Sequence, residues 1–183
     1  MKKNGSIAML VFFVLSTAST SLYAQTTEVE KWSIRGDEYY EKRDYPNAIK
    51  AYSQVIDLRL KEENQAQERA KRNSKNPDFY TYNRTWTGLE INAYLQRGRS
   101  YYRLKNYDAA IADHEVVRKN YDPGFYHIYV LLGDAYGAKG DYKNAASYYK
   151  TYVERMPGTE AMDYGVDKSN WLRWSYYYRF GKR

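Results

Sequence analysis

The residues able to do chemistry are few, and their spacing argues against a catalytic centre. The chain has no cysteine, which excludes disulfides, zinc–thiolate sites and thiol nucleophiles. Neither of its two histidines, His114 and His127, stands at metal-ligand spacing from the other. Asp37 and Glu41 lie one helical turn apart and read as a solvated acidic face rather than a paired acid and base. The glycines do not form a phosphate loop, since Gly133, Gly137 and Gly140 punctuate a helical pattern. Asn83-Arg84-Thr85 matches a three-residue glycosylation sequon that bacterial export would leave unused. No catalytic residue, metal ligand or cofactor is assigned, and the chain does not read as an enzyme.

The elements around these residues are helical and repetitive. From Tyr126 to Gly158 the chain reads YHIYVLLGDAYGAKGDYKNAASYYKTYVERMPG. Tyr129, Leu132, Gly133 and Tyr136 share one helical face. After the Gly140-Asp141 break, Tyr142, Ala145, Tyr149 and Tyr152 form a second stripe that Pro157 ends. Gly133 and Ala145 leave room for close approach, and Tyr136, Tyr149 and Tyr152 are expected to fill the wedge between units. The same offsets recur as Trp32, Gly36, Tyr39, Tyr45, Ala48, Tyr52 and Val55, with Asp44-Tyr45-Pro46-Asn47 as a helix start. They recur again as Tyr94, Gly98, Tyr101, Tyr107, Ala110, His114 and Val117, with Pro123 one place late.

This pattern resembles the tetratricopeptide repeat, a helix-turn-helix of about 34 residues. Only Arg35 departs from the family pattern in the first unit. The resemblance implies an all-α fold of three repeats stacked as a short right-handed solenoid, which binds other proteins. His114 replaces an aromatic residue of a second helix, so a satisfied, partly buried ring is expected there. In the family, ligands bind along the exposed face of each first helix. Carried over by position, that face holds Ser33, Asp37, Tyr40 and Glu41, then Leu95, Arg99, Tyr102 and Arg103, then His127, Val130, Asp134 and Ala138. Ser33 and Asp37 occupy the places of a Lys and Asn pair that clamps chaperone tails in some relatives, so that activity is not supported. Arg99 and Arg103 lie between Asp37 and Glu41 on one neighbouring repeat and Asp134 on the other, with which they could pair weakly, and they are expected to serve partner binding.

Gly36 and Gly98 are 62 residues apart, an excess of 28 over the repeat. Residues 57–75 are rich in helix formers, Asn76-Pro77-Asp78 is a breaker, and Phe79, Tyr82, Trp86 and Leu89 form a helical stripe. These features predict a hairpin of two equally extended helices. A loop over 62–77 is the competing reading, because Ala66 and Ala70 are its only apolar residues.

The ends have their own signals. Lys2 and Lys3, the apolar run from Ile7 to Leu15 and Leu22-Tyr23-Ala24 read as a signal peptide cleaved before Gln25. A retained anchor would need a run of about 20 apolar residues. The chain therefore reads as exported, into a bacterial periplasm. Without Lys2 and Lys3 there are 27 bases against 22 acids, and residues 168–183 hold five bases and no acid. The body is neutral, so no nucleic-acid partner is expected. Trp171, Trp174 and Tyr178 repeat a first-helix spacing. They predict a C-terminal helix that caps the solenoid, contacts a membrane surface or self-associates.

The resulting division is a signal peptide over 1–24, a leader over 25–28 and a first repeat over 29–62. An insertion over 63–90 separates it from repeats over 91–125 and 126–159, and 160–183 is linker and cap. The function expected is an adaptor holding a protein or peptide segment. The alternative is a structural subunit that leans on an envelope surface.

Overall fold

A computed structural model describes residues 27–76, 84, 86–120 and 125–155. The expected signal peptide, Pro77, Phe79, Tyr82, Asn83 and Thr85 of the sequon, Pro123, Pro157 and the expected C-terminal helix lie outside these residues. The described part comprises six helices: α1 (Glu28–Glu41), α2 (Tyr45–Asn73), α3 (Gly88–Arg103), α4 (Tyr107–Asn120), α5 (His127–Lys139) and α6 (Tyr142–Arg155). They pack as three successive pairs, α1 with α2, α3 with α4 and α5 with α6, and α2 also meets α3 while α4 meets α5. The fold is all-α, a stack of tetratricopeptide-type hairpins.

Local chemistry starts each helix. Thr27 caps α1 in a reciprocal box: its hydroxyl accepts from the Glu30 amide, and the Glu30 carboxylate accepts from the Thr27 amide at 2.7 Å. The three intra-pair turns share one construction. The amides of Asp44, Asn106 and Asp141 donate back to the carbonyls of Tyr39, Tyr101 and Tyr136 at 2.8–2.9 Å. The same three side chains accept from the amides of Asn47, Ala109 and Asn144, capping the next helix. The preceding residue is left-handed in every turn: Arg43 (φ 60), Lys105 (φ 62) and Gly140 (φ 91).

The first and second helices of each pair close over a glycine, and here the structure refines the expectation. A Cβ on Gly133 would lie 2.8–2.9 Å from the Tyr149 ring, and one on Gly36 would lie 2.5–2.9 Å from the Tyr52 ring. The glycines make room for a ring from the partner helix, not for its backbone. Both tyrosines are fully buried. One core cluster forms around Val29, Tyr52, Val55 and Ile56, another around Val117, Leu132, Tyr149 and Tyr152, and the Tyr94 ring packs against both.

Helix α2 takes about half of the insertion. Helix α2 runs for 29 residues, against 14 each for α4 and α6. At about 1.5 Å per residue it is about 43 Å long. Helix α3 begins only at Gly88, where the Thr87 hydroxyl accepts from the Glu90 amide at 3.3 Å. Trp86 and Thr87 lie outside any helix, so the second extended arm is not formed there. Residues 57–73 hold strong helix formers without Gly or Pro, whereas Thr87 offers a cap and Gly88 a weak helix former. From Lys61 to Asn73 the α2 arm is mostly exposed. Ahead of α3, the Arg84 guanidinium donates to the buried Glu90 carboxylate and lies 3.8 Å from the Trp86 ring centre.

Candidate functional site

The first helices of the three pairs contribute to one cavity of about 510 Å³. Tyr40 comes from α1, Arg99, Tyr102 and Arg103 from α3, and Leu131 and Asp134 from α5. His114 reaches it from α4. The register explains the α3 contribution. Ile91, Gly98 and the buried Ser100 turn toward the core, which leaves Arg99, Tyr102 and Arg103 on the opposite flank.

Five of the residues expected on the binding face thus meet: Tyr40, Arg99, Tyr102, Arg103 and Asp134. The others do not line the cavity. Ser33 is buried in the same stripe as Val29 and Gly36, and Val130 is buried in the core. Neither is available to a ligand, Val130 because α5 is apolar on nearly every side. Leu95 is half-buried against the core, while Asp37, Glu41, His127 and Ala138 are exposed elsewhere along the face.

The two arginines of the cavity do not pair with the acids of the neighbouring repeats. Among the described residues neither Arg99 nor Arg103 has a carboxylate within ion-pair distance. Asp37 instead accepts from the Tyr52 hydroxyl at 2.8 Å, and Asp134 accepts from the Tyr149 hydroxyl. Arg103 lies beside the Tyr40 hydroxyl, which raises its already high pKa.

His114 corrects the sequence reading most clearly. It is 1% exposed, and neither Nδ1 nor Nε2 has a hydrogen-bond partner. The Leu95 carbonyl favours the charged ring slightly but lies outside bonding geometry. Burial first, then the positive charge of Arg99, pushes its pKa down to about 4. The same two causes depress His127, whose ring keeps solvent contact, and Asp134 opposes them. His114 and Leu131 were absent from the expected face. Aligning the repeats on Gly36, Gly98 and Gly133 is the signal that finds His114, because it falls where the others have Tyr52 and Tyr149.

Comparison with known proteins agrees with this architecture. Residues 93–159 match the family model described as tetratricopeptide repeat. A solved structure titled as the TPR2B domain of yeast Sti1 in complex with pHsp70 is similar at 20% identity, with a TM-score of 0.55 over 83% of this chain and 97% of that chain. The crystal structure of MamA protein is similar at 16% identity, with a TM-score of 0.36 over 85% of this chain and 88% of that one. No curated protein sequence matches.

Proposed function

We propose that this tetratricopeptide-repeat fold is a non-enzymatic scaffold of the bacterial envelope, exported by its leader, that holds a protein or peptide segment across α1, α3 and α5. The observation that carries the reading is the shared cavity: three separate helix pairs bring Tyr40, Arg99, Tyr102, Arg103 and Asp134 to one place. Tyrosine and arginine suit such a surface because they combine large contact area with polar ends. The Sti1 domain of similar fold was solved with pHsp70, which supports a protein ligand in kind and leaves its identity to experiment.

Crosslinking in the native cell, followed by mass spectrometry, tests this. The protein should be recovered from the periplasm with Gln25 as its first residue and crosslinked to one recurrent partner. Because neither guanidinium is ion-paired, Arg99→Glu with Arg103→Glu should alter stability by no more than about 1 kcal/mol. It should weaken partner recovery severalfold. Unaltered recovery would refute this placement of the site.

A further inference from the structure

Every first helix has a flank that turns toward the preceding pair, and among the described residues that flank of α1 is uncovered. Counted from the glycines, Lys31, Arg35 and Glu38 of α1 correspond to Ala93, Arg97 and Ser100 of α3 and to Ile128, Leu132 and Ala135 of α5. In the later pairs these positions are stacked. Ala93 belongs to the core of the first pair, and Arg97 donates to Ser53 of α2. Ser100, Ile128, Leu132 and Ala135 are at most 3% exposed. On α1 the same flank is open. Ile34 at its middle is 52% exposed, more than any other large hydrophobic side chain among the described residues. A polar flank alone would simply end the stack, but a bare isoleucine does not serve that end.

The charges around Ile34 are ordered. From the start of α1 onward the exposed flank carries Glu28, Lys31, Ile34, Glu38 and then Lys42. Turned end for end, the order negative, positive, apolar, negative, positive becomes its own complement. Glu28 then meets Lys42, Lys31 meets Glu38, and Ile34 meets itself. The heights along the axis agree to within one residue, about 1.5 Å. Arg35, the one charge that would face its own copy, is drawn aside, with its guanidinium 4.8 Å from the Trp32 ring centre. The Lys31–Glu28 pair within the helix is exposed and too weak to hold Lys31 away from a partner.

We infer that this flank is the seam of a homodimer, in which α1 packs antiparallel on α1 of a second copy about a two-fold axis beside Ile34. A second copy supplies the matching charge order, and each pair forms twice about the axis. A parallel arrangement would set Glu28 on Glu28 and Lys31 on Lys31, so charge fixes the direction. Helix α1 has 14 residues, and a seam of about 21 Å covers less than the roughly 1,200–2,000 Å² of a stable interface. The dimer should therefore be reversible and concentration-dependent. Tyr40 lines the cavity from the far side of α1, so the dimer leaves the proposed binding face open and does not depend on it.

The test uses the mature full-length chain, which has no cysteine of its own. Ile34→Cys places one thiol beside the axis. Mild oxidation should join two such copies about tenfold or more faster than copies carrying Ala112→Cys or Glu68→Cys, whose exposed sites lie off the seam. Sedimentation should show dimers whose share rises with concentration. Lys31→Glu sets like charges against each other and should weaken association about tenfold or more. Lys31→Glu with Glu38→Lys reverses the pair and should restore it, which a general loss of folding cannot imitate. Both sites are exposed, so these variants should melt as the wild type does. A chain that stays monomeric at about 1 mM overturns the dimer. A dimer that ignores Lys31→Glu and leaves the Ile34→Cys thiol uncrosslinked uses another face and overturns this seam. Crosslinking of that thiol to a different protein in the native cell, with the purified chain monomeric, gives the flank to that protein and overturns the second copy.

Discussion

A single histidine sets the pH behaviour expected of this protein. His114 has a folded pKa of about 4, against about 6.5 in an unfolded chain. Between those values the unfolded state binds more protons, so stability rises with pH. The contribution is fully present above about pH 6.5 and is lost as pH falls toward 4, by about 3 kcal/mol at the acid end. Arg99 and His127 disfavour the charged ring, whereas Asp134 sits across the cavity beside His127. Replacing His114 by Phe, which keeps an aromatic ring without a titrating group, should flatten this part of the curve. Denaturant melts of both proteins across the window check it. Burial also raises Glu90 and Asp113, but those groups are common to both proteins and cancel in the difference. Parallel curves would remove His114 from the account.

Each helix pair turns through a left-handed residue, yet only one turn uses glycine. Gly140 meets nothing within 4 Å of an added Cβ, so its role is conformational, at φ +91. Arg43 and Lys105 adopt the same conformation with side chains that disfavour it. Arg43→Gly and Lys105→Gly should each stabilise the chain by about 0.5–1 kcal/mol, less the added freedom of the unfolded state. Gly140→Ala should destabilise by about 1 kcal/mol. Thermal melts that rank the three the other way would show that the turns are held by the Asp and Asn caps alone.

The stack holds together through seams of different strength. Arg97 joins the first two pairs: it donates twice to the buried Asp113 and at 3.0 Å to the Ser53 hydroxyl of α2. At the second seam the Tyr148 hydroxyl of α6 donates to Glu115 of α4, while the Tyr148 ring stacks on Tyr136 within the third pair, with ring centres 5.4 Å apart. This seam also carries an exposed pair between Lys139 and Asp108. Removing the guanidinium by Arg97→Met leaves the Asp113 carboxylate buried and uncompensated, at about 3–5 kcal/mol. Lys139→Met should cost at most about 1 kcal/mol. Because each pair contacts only its neighbours, stability propagates along the stack. The Arg97 variant should therefore also lose coincidence between transitions followed in the first pair and in the last. Equal costs for the two substitutions would refute this ranking of the seams.

The helix pairs were legible in the sequence because their cause is local: the Gly–Tyr–Ala–Tyr spacing follows the helical period, and Asp44, Asn106 and Asp141 cap whatever helix comes next. The face with Tyr40, Arg99, Tyr102, Arg103 and Asp134 came from the family resemblance, carried over position by position onto those helices. Packing decided what the period leaves open. Ser33 and Val130 share that face in projection, yet both are buried in the packed molecule. The 28-residue excess is a length, and a length does not say which helix absorbs it. The helix formers of α2 take about half of it, since that helix runs for 29 residues against 14 in α4 and α6, and the cap at Thr87 sets where α3 begins. His114 shows the difference in a single side chain. Its identity was plain, but whether a ring finds a hydrogen-bond partner depends on what the opposing helix carries. Only when α3 sets Arg99, and not a carboxylate, over that ring does the absence of a partner exist at all.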